Sequence, residues 1–147
     1  SNNLVKEVSN NDNIKPEVFF DKETRFDFLI EKKKQKIFVE VKNVTLFRNE
    51  KIAEFPDAVT SRGSKHLKTL ITATKEGYKS YLLFLVQIEG VESFKIAKDI
   101  DKEYYENYLL AKKAGVKFLA YRCKINLKEI KIEKKIKIIN DWIFRKI

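Results

Sequence analysis

The order of hydrophobic patterns along these 147 residues predicts an α/β domain built on a mixed sheet flanked by helices. Three observations carry the prediction. Two β-like runs joined by a lysine-rich turn, Arg25 to Glu31 and Lys36 to Leu46, read as a hairpin. The run SYLLFLVQI, Ser80 to Ile88, is apolar without alternation, which marks a strand covered on both faces. Between and after such strands the period becomes helical, and each helical stretch ends on a glycine.

Taken in order, Asn3 to Val8 is a short helical candidate, with Leu4, Val5 and Val8 on one side and Glu7 on its flank. EVFFDKE, Glu17 to Glu23, reads as a short strand after Pro16, and a short return strand is expected before Phe55-Pro56. From Thr60 to Glu76 the residues Gly63, Leu67, Leu70, Ile71 and Thr74 share one helical stripe, and Gly77 stands where a left-handed stop belongs. Asp99 or Asp101 can cap a second helix, KEYYENYLLAKKA, ending at Gly115, before a buried strand from Val116 to Ile125. The tail KEIKIEKKIKII alternates like a peripheral, exposed hairpin leading to Trp142.

The length and a hydrophobic content of 44% suit one domain over residues 1–147. A single cysteine, Cys123, excludes an internal disulfide and reads as a small buried hydrophobe. No apolar run approaches the roughly 18 residues of a membrane span, so the expectation is a cytoplasmic protein with no membrane partner. Lys and Arg number 31 against 21 Asp and Glu, a net charge of +10 that favours a polyanionic partner such as nucleic acid. Lysine dominates the excess, so a solvated basic surface is the competing explanation. His66 is the only histidine, which rules out a histidine-based metal cluster.

The hairpin raises the chemical question, because its apolar strands hold acids. If Lys32 to Gln35 form the turn and Glu31 pairs with Lys36, Leu29 faces Phe38 and Asp27 lies opposite Glu40. Alternation then puts Phe26, Phe28, Ile30, Ile37, Val39 and Val41 on one face and Asp27, Glu40 and Lys42 on the other. Opposed carboxylates, with β-carbons about 4.5–5.5 Å apart, repel unless something positive sits between them. A hard divalent cation such as Mg²⁺ fits, since one or two carboxylates plus water and phosphate oxygens suffice to hold it. Lys42 would then orient a water or neutralise charge on a phosphate. The alternative is that both acids are solvent-side residues paired with lysines.

An acid followed by Glu-x-Lys on the adjoining strand resembles the PD-(D/E)XK nuclease superfamily. The longer words EVKNVTL (Glu40 to Leu46), FPDAVTSRGSKHL (Phe55 to Leu67), LLFLVQ (Leu82 to Gln87) and AGVKFLAYRC (Ala114 to Cys123) are similar to the sugar fermentation stimulation protein family, SfsA. The resemblance spans roughly Asn3 to Ile125 and implies a restriction-endonuclease-like mixed sheet flanked by helices. It implies a cytoplasmic DNA-binding protein with a nuclease-like site for Mg²⁺ or Mn²⁺. Asp27 and Glu40 match the metal-binding acids and Lys42 the catalytic lysine. Glu7 matches the acid of the first helix, although Val8-Ser9 departs from the family's Ala-Leu, and the carbonyl of Val41 is a further ligand candidate. The expectation includes the absence of the OB-like domain that members carry before this region, a common nucleic-acid platform.

Arg62, Lys65, His66 and Thr69 form a polar stripe at helical spacing, and Arg62, Lys65 and His66, together with Arg25 and Asn43, are the candidate DNA contacts. A solvated helix face is the alternative for that stripe. Asp57 reads as a helix cap before it reads as a third metal ligand. Gln87 ends a buried strand, where polar groups often reach a cleft. Tyr104, Tyr105 and Tyr108 read as helix-packing aromatics before a stacking platform. Two functions stay open: a Mg²⁺- or Mn²⁺-dependent DNA endonuclease or other nuclease, and a non-catalytic DNA-binding accessory module in the regulation of sugar metabolism. Oligomeric state is left open, a homodimer included.

Overall fold

The computed structural model describes residues 12–49, 51–125 and 130–139. The expected helix over Asn3 to Val8, Glu7 with it, and Trp142 lie outside the described residues. The strands are β1 (Asn13–Phe19), β2 (Arg25–Lys32), β3 (Gln35–Val44), β4 (Leu46–Asn49), β5 (Ile52–Phe55), β6 (Lys79–Val86), β7 (Ser93–Ile96), β8 (Lys117–Ile125) and β9 (Ile130–Ile138). Helix α1 (Ser61–Lys75) separates β5 from β6, and α2 (Lys102–Ala114) separates β7 from β8.

The strands form one mixed nine-stranded sheet in the order β1-β2-β3-β6-β8-β9-β7-β5-β4. β1, β2 and β3 are antiparallel neighbours, while β3, β6 and β8 run parallel through the helical crossovers. The hairpin register is the expected one, with Glu31 opposite Lys36 and Leu29 opposite Phe38. Lys32 also pairs with Gln35, so only Lys33 and Lys34 make the turn.

Both helices begin at the residues their side chains dictate. Thr60 caps α1 by accepting the Gly63 N–H at 2.9 Å, and Asp101 caps α2 by accepting the Tyr104 N–H at 2.9 Å. Thr60, not Asp57, is therefore the α1 cap; Asp57 is exposed three residues earlier. Asp101 has a second task, since its other oxygen accepts the Thr60 N–H at 2.9 Å and so ties the two helix starts together. Gly63 sits at this junction. A β-carbon there would meet Thr60 Cγ2 at 2.8 Å and Tyr104 Cε1 at 3.0 Å, so the glycine permits the close approach.

The sheet buries both faces, as its unbroken apolar runs require. One face packs Phe38, Leu82, Phe84 and Ala120 against Leu67, Leu70, Tyr104 and Tyr108 of the helices. Residues of opposite parity, Ile37, Val39, Tyr81, Leu119, Tyr121 and Cys123, form the second cluster. Tyr104, Tyr105 and Tyr108 are buried, in keeping with helix packing.

The structure departs from three further expectations. The hairpin does not divide its apolar residues as strict alternation predicts: Phe26 packs 5.3 Å from Phe38 in the helix-side cluster, and Phe28 is exposed. Regular β2–β3 pairing stops at Phe28 opposite Val39, and on the other side of β2, where Asp27 would pair, Glu17 of β1 has φ of +50°. The strand expected over Glu17 to Glu23 runs instead from Asn13 to Phe19. Asp21 ends it by accepting the N–H groups of Glu23 and Thr24 at 2.8 and 2.6 Å, a side-chain-closed turn. The alternating tail is not a peripheral hairpin of its own. Its strand β9 pairs antiparallel with β8 and parallel with β7, inside the sheet order.

Candidate metal and nucleic-acid site

Where β2 parts from β3, the Asp27 side chain takes over the pairing: its Oδ2 accepts the Val41 N–H at 2.7 Å. Asp27 also hydrogen-bonds the Glu40 carboxylate. The two acids predicted to face each other therefore meet. Glu40 is 3% exposed, a depth at which an ionised carboxylate must be held by donors. His66 of α1 provides one, with Nδ1 at 2.5 Å from Glu40 Oε2. Lys42, two residues along the same strand face, provides another, with Nζ 3.3 Å from the same oxygen and 3.0 Å from His66 Nδ1. An ammonium only donates, so the short contact assigns the Nδ1 proton to the bond with Glu40 and leaves Lys42 to donate to the carboxylate.

These contacts drive the two carboxyls apart. Burial, reinforced by the Glu40 carboxylate beside it, pushes Asp27 up from the ordinary aspartate value to about 6. Burial also pushes Glu40 up, but hydrogen bonds from His66 and Asp27 and the Lys42 charge outweigh it, and its pKa falls below the usual value. At mildly acidic pH a neutral Asp27 thus donates to an ionised Glu40. In such a pair a single proton relieves the repulsion that a cation would otherwise relieve.

The donor set suits a hard divalent ion: two carboxylates, with the Val41 carbonyl between Glu40 and Lys42 in sequence. Among the described residues no three His, Cys, Asp or Glu side chains form a ready-made metal cage, so water or phosphate oxygens would complete the sphere. Lys42 and His66, by contrast, are engaged with Glu40.

Beside this cluster lies a cleft of about 350 Å³ lined by Phe19, Glu23, Arg25, Arg62, Lys65 and His66. It gathers four of the five predicted DNA contacts. Arg25 stands over the Phe19 ring at 5.7 Å, and Lys65 pairs with Glu23 at 2.8 Å. Asn43 is not among them; it accepts from Gln87 Nε2 at 2.9 Å, joining the ends of β3 and β6. The stripe expected on α1 splits. Arg62 and Lys65 are exposed, whereas His66 and Thr69 are buried, Thr69 against Thr24 at 3.2 Å. Sequence reasoning missed the bond from His66 to Glu40. Its spacing held a signal, since His66 precedes Leu70 by one turn and follows Gly63 by three residues, at the margin of the apolar stripe.

Known proteins resemble this chain over most of its length. A sugar fermentation stimulation protein homolog of Pelagibacter ubique (strain HTCC1062) is 88% identical over 139 residues, covering 95% of this chain and 60% of the relative. A homolog of the same name from Clostridium beijerinckii is 42% identical over 137 residues, covering 93% and 58%. The solved structure of Pyrococcus furiosus SfsA in complex with Ca²⁺ superposes with a TM-score of 0.82 at 32% identity, over 92% of this chain and 58% of that one. The chain thus spans about three-fifths of the length of the relatives it matches. Residues 1–129 match the family described as the sugar fermentation stimulation protein RE domain, and the chain belongs to that family, SfsA.

Proposed function

We propose that this chain carries the nuclease-like site of a cytoplasmic DNA-binding protein, of the PD-(D/E)XK type, that hydrolyses phosphodiesters with Mg²⁺ or Mn²⁺. The observation that carries the reading is the meeting of Asp27, Glu40 and Lys42 on one sheet face, next to a cationic cleft. The Pyrococcus furiosus protein was solved in complex with Ca²⁺, which supports a divalent ion here. Asp27 and Glu40 would hold the ion, with the Val41 carbonyl and Glu7 as further ligands. The ion would supply Lewis-acid polarisation of the phosphoryl group. His66 holds the Glu40 carboxylate in one orientation. Lys42 orients a water or offsets charge growing on the phosphate, and Arg25, Arg62 and Lys65 position the backbone.

One observation favours a second reading, a DNA-binding accessory module in the regulation of sugar metabolism that does not cut. The Lys42 ammonium is engaged by the Glu40 carboxylate, so it must be released before it can serve a water. The decisive experiment incubates supercoiled and linear DNA with the protein in Mg²⁺, Mn²⁺ or EDTA, beside Asp27→Ala and Lys42→Ala. Metal-dependent cutting that both substitutions abolish supports the nuclease. Salt-sensitive binding without cutting, retained in both variants, supports the module.

A further inference from the structure

The cleft beside the carboxylates holds one residue that phosphate binding does not explain. Phe19, the last residue of β1, is 65% exposed. Its neighbour Phe20 packs against Phe26, Phe38 and Tyr78, so the turn into β2 sends one ring inward and the other out. A polar residue would serve as the outward partner at lower cost in water. Phe19 instead lies on the edge strand of the described sheet, with the Arg25 guanidinium 5.7 Å from its ring centroid. Arg25, Arg62 and Lys65 line the same cleft against one lining carboxylate, Glu23, so the cleft remains cationic. Glu17 touches Arg25 only at 4.0 Å. His66 lines the cleft and bonds Glu40, so one side chain touches both the cleft and the acid pair.

We propose that this cleft binds an unpaired DNA segment, one base stacking on Phe19 while Arg25, Arg62 and Lys65 hold the flanking phosphates. The inference rests on the DNA reading above and adds the class of substrate. A cationic groove with a projecting aromatic ring is how single strands are held without sequence readout, because every base offers a π face. In a duplex those faces are already stacked on neighbouring bases, and only the phosphates remain for the cations. The site therefore favours single-stranded ends, flaps or loops whose backbone can run on toward Asp27 and Glu40.

The test is fluorescence anisotropy in EDTA, where no cutting intervenes, with a labelled single-stranded DNA oligonucleotide, the matching duplex, and RNA of the same sequence. The variants are Phe19→Ala, Phe19→Trp and Arg62→Ala, with folding checked by circular dichroism. Phe19→Ala should weaken single-strand binding roughly tenfold and leave the duplex within about twofold, while Phe19→Trp retains both. Arg62→Ala should weaken both forms and lower the salt dependence. If Phe19→Ala costs nothing, or costs both forms equally, the stacking role is wrong although loss in Arg62→Ala keeps the DNA reading alive. Tighter binding of the RNA overturns the assignment to DNA. If the unaltered protein binds none of the probes at moderate salt, the DNA reading itself fails.

Discussion

Asp27 and Glu40 divide one problem between them. Both sit where ionisation is costly, and His66 and Lys42 lie on Glu40, so below about pH 6 it is Asp27 that carries the proton. A carboxyl raised from about 3.8 unfolded to about 6 folded favours the native state most below the unfolded value. That contribution disappears as pH rises through 6. In EDTA, Asp27→Asn should therefore melt later than the unaltered protein above pH 6, by about 1 kcal/mol once solvent screening is allowed for, with the difference gone near pH 4. Calorimetric melts at the two pH values check it; an equal difference at both would assign the effect to packing. The amide keeps the donor for Glu40 and the acceptor for Val41, which isolates the charge. His66 acts through Glu40. His66→Ala should weaken Mn²⁺ or Ca²⁺ binding by about tenfold in isothermal titration, the usual effect of losing a group that orients a metal ligand.

At the scale of elements, the site depends on α1 reaching the sheet at one height and rotation, because its His66 must meet the strand acid from that side. The shared cap sets that placement. Asp101 accepts from Tyr104 of its own helix and from Thr60 at the start of the other. Asp101→Ala should cost about 2–3 kcal/mol, since it removes one cap and leaves a second N–H without its partner. Thr60→Ala, which removes only its own capping oxygen, should cost about 1 kcal/mol. Urea denaturation followed by circular dichroism ranks the pair, and a larger loss in Thr60→Ala would show that the bridge between helices contributes little. The α2 cap is legible in sequence as one of two aspartates, Asp99 or Asp101. The α1 cap is Thr60 and not the expected Asp57, because DAVT offers two capping side chains and only the helix start chooses between them.

For the whole molecule, a nine-stranded sheet must hold its far strands to the half that bears the site. Arg48 of β4 does part of this, donating to Glu54 at 2.9 and 2.6 Å and to Asp99, in the segment before α2, at 2.6 and 2.8 Å. Glu54 is 2% exposed, so Arg48→Ala would strand a buried carboxylate and should cost about 3 kcal/mol. Arg48→Ala combined with Glu54→Gln should recover much of that loss in thermal melts. Recovery of nothing would mean that the arginine acts through Asp99 alone. The sequence marked Arg48 as one of five arginines and nothing more, since its two partners lie 6 and 51 residues away.

What the sequence determined by itself was local. Alternation and a lysine turn specified the β2–β3 register, an aspartate and two glycines marked helix ends, and Asp27, Glu40 and Lys42 followed as neighbours across two adjacent strands. These features involve residues within a few positions of each other, or across one tight turn, where backbone geometry leaves few choices. Tertiary structure decided the rest: the end of regular β2–β3 pairing beside Asp27 and the packing of Phe26 on the helix side, the insertion of β9 between β8 and β7, and the approach to Glu40 of His66, a residue on a helix far along the chain. Those depend on how large apolar surfaces fit together, and no spacing along the chain encodes that fit.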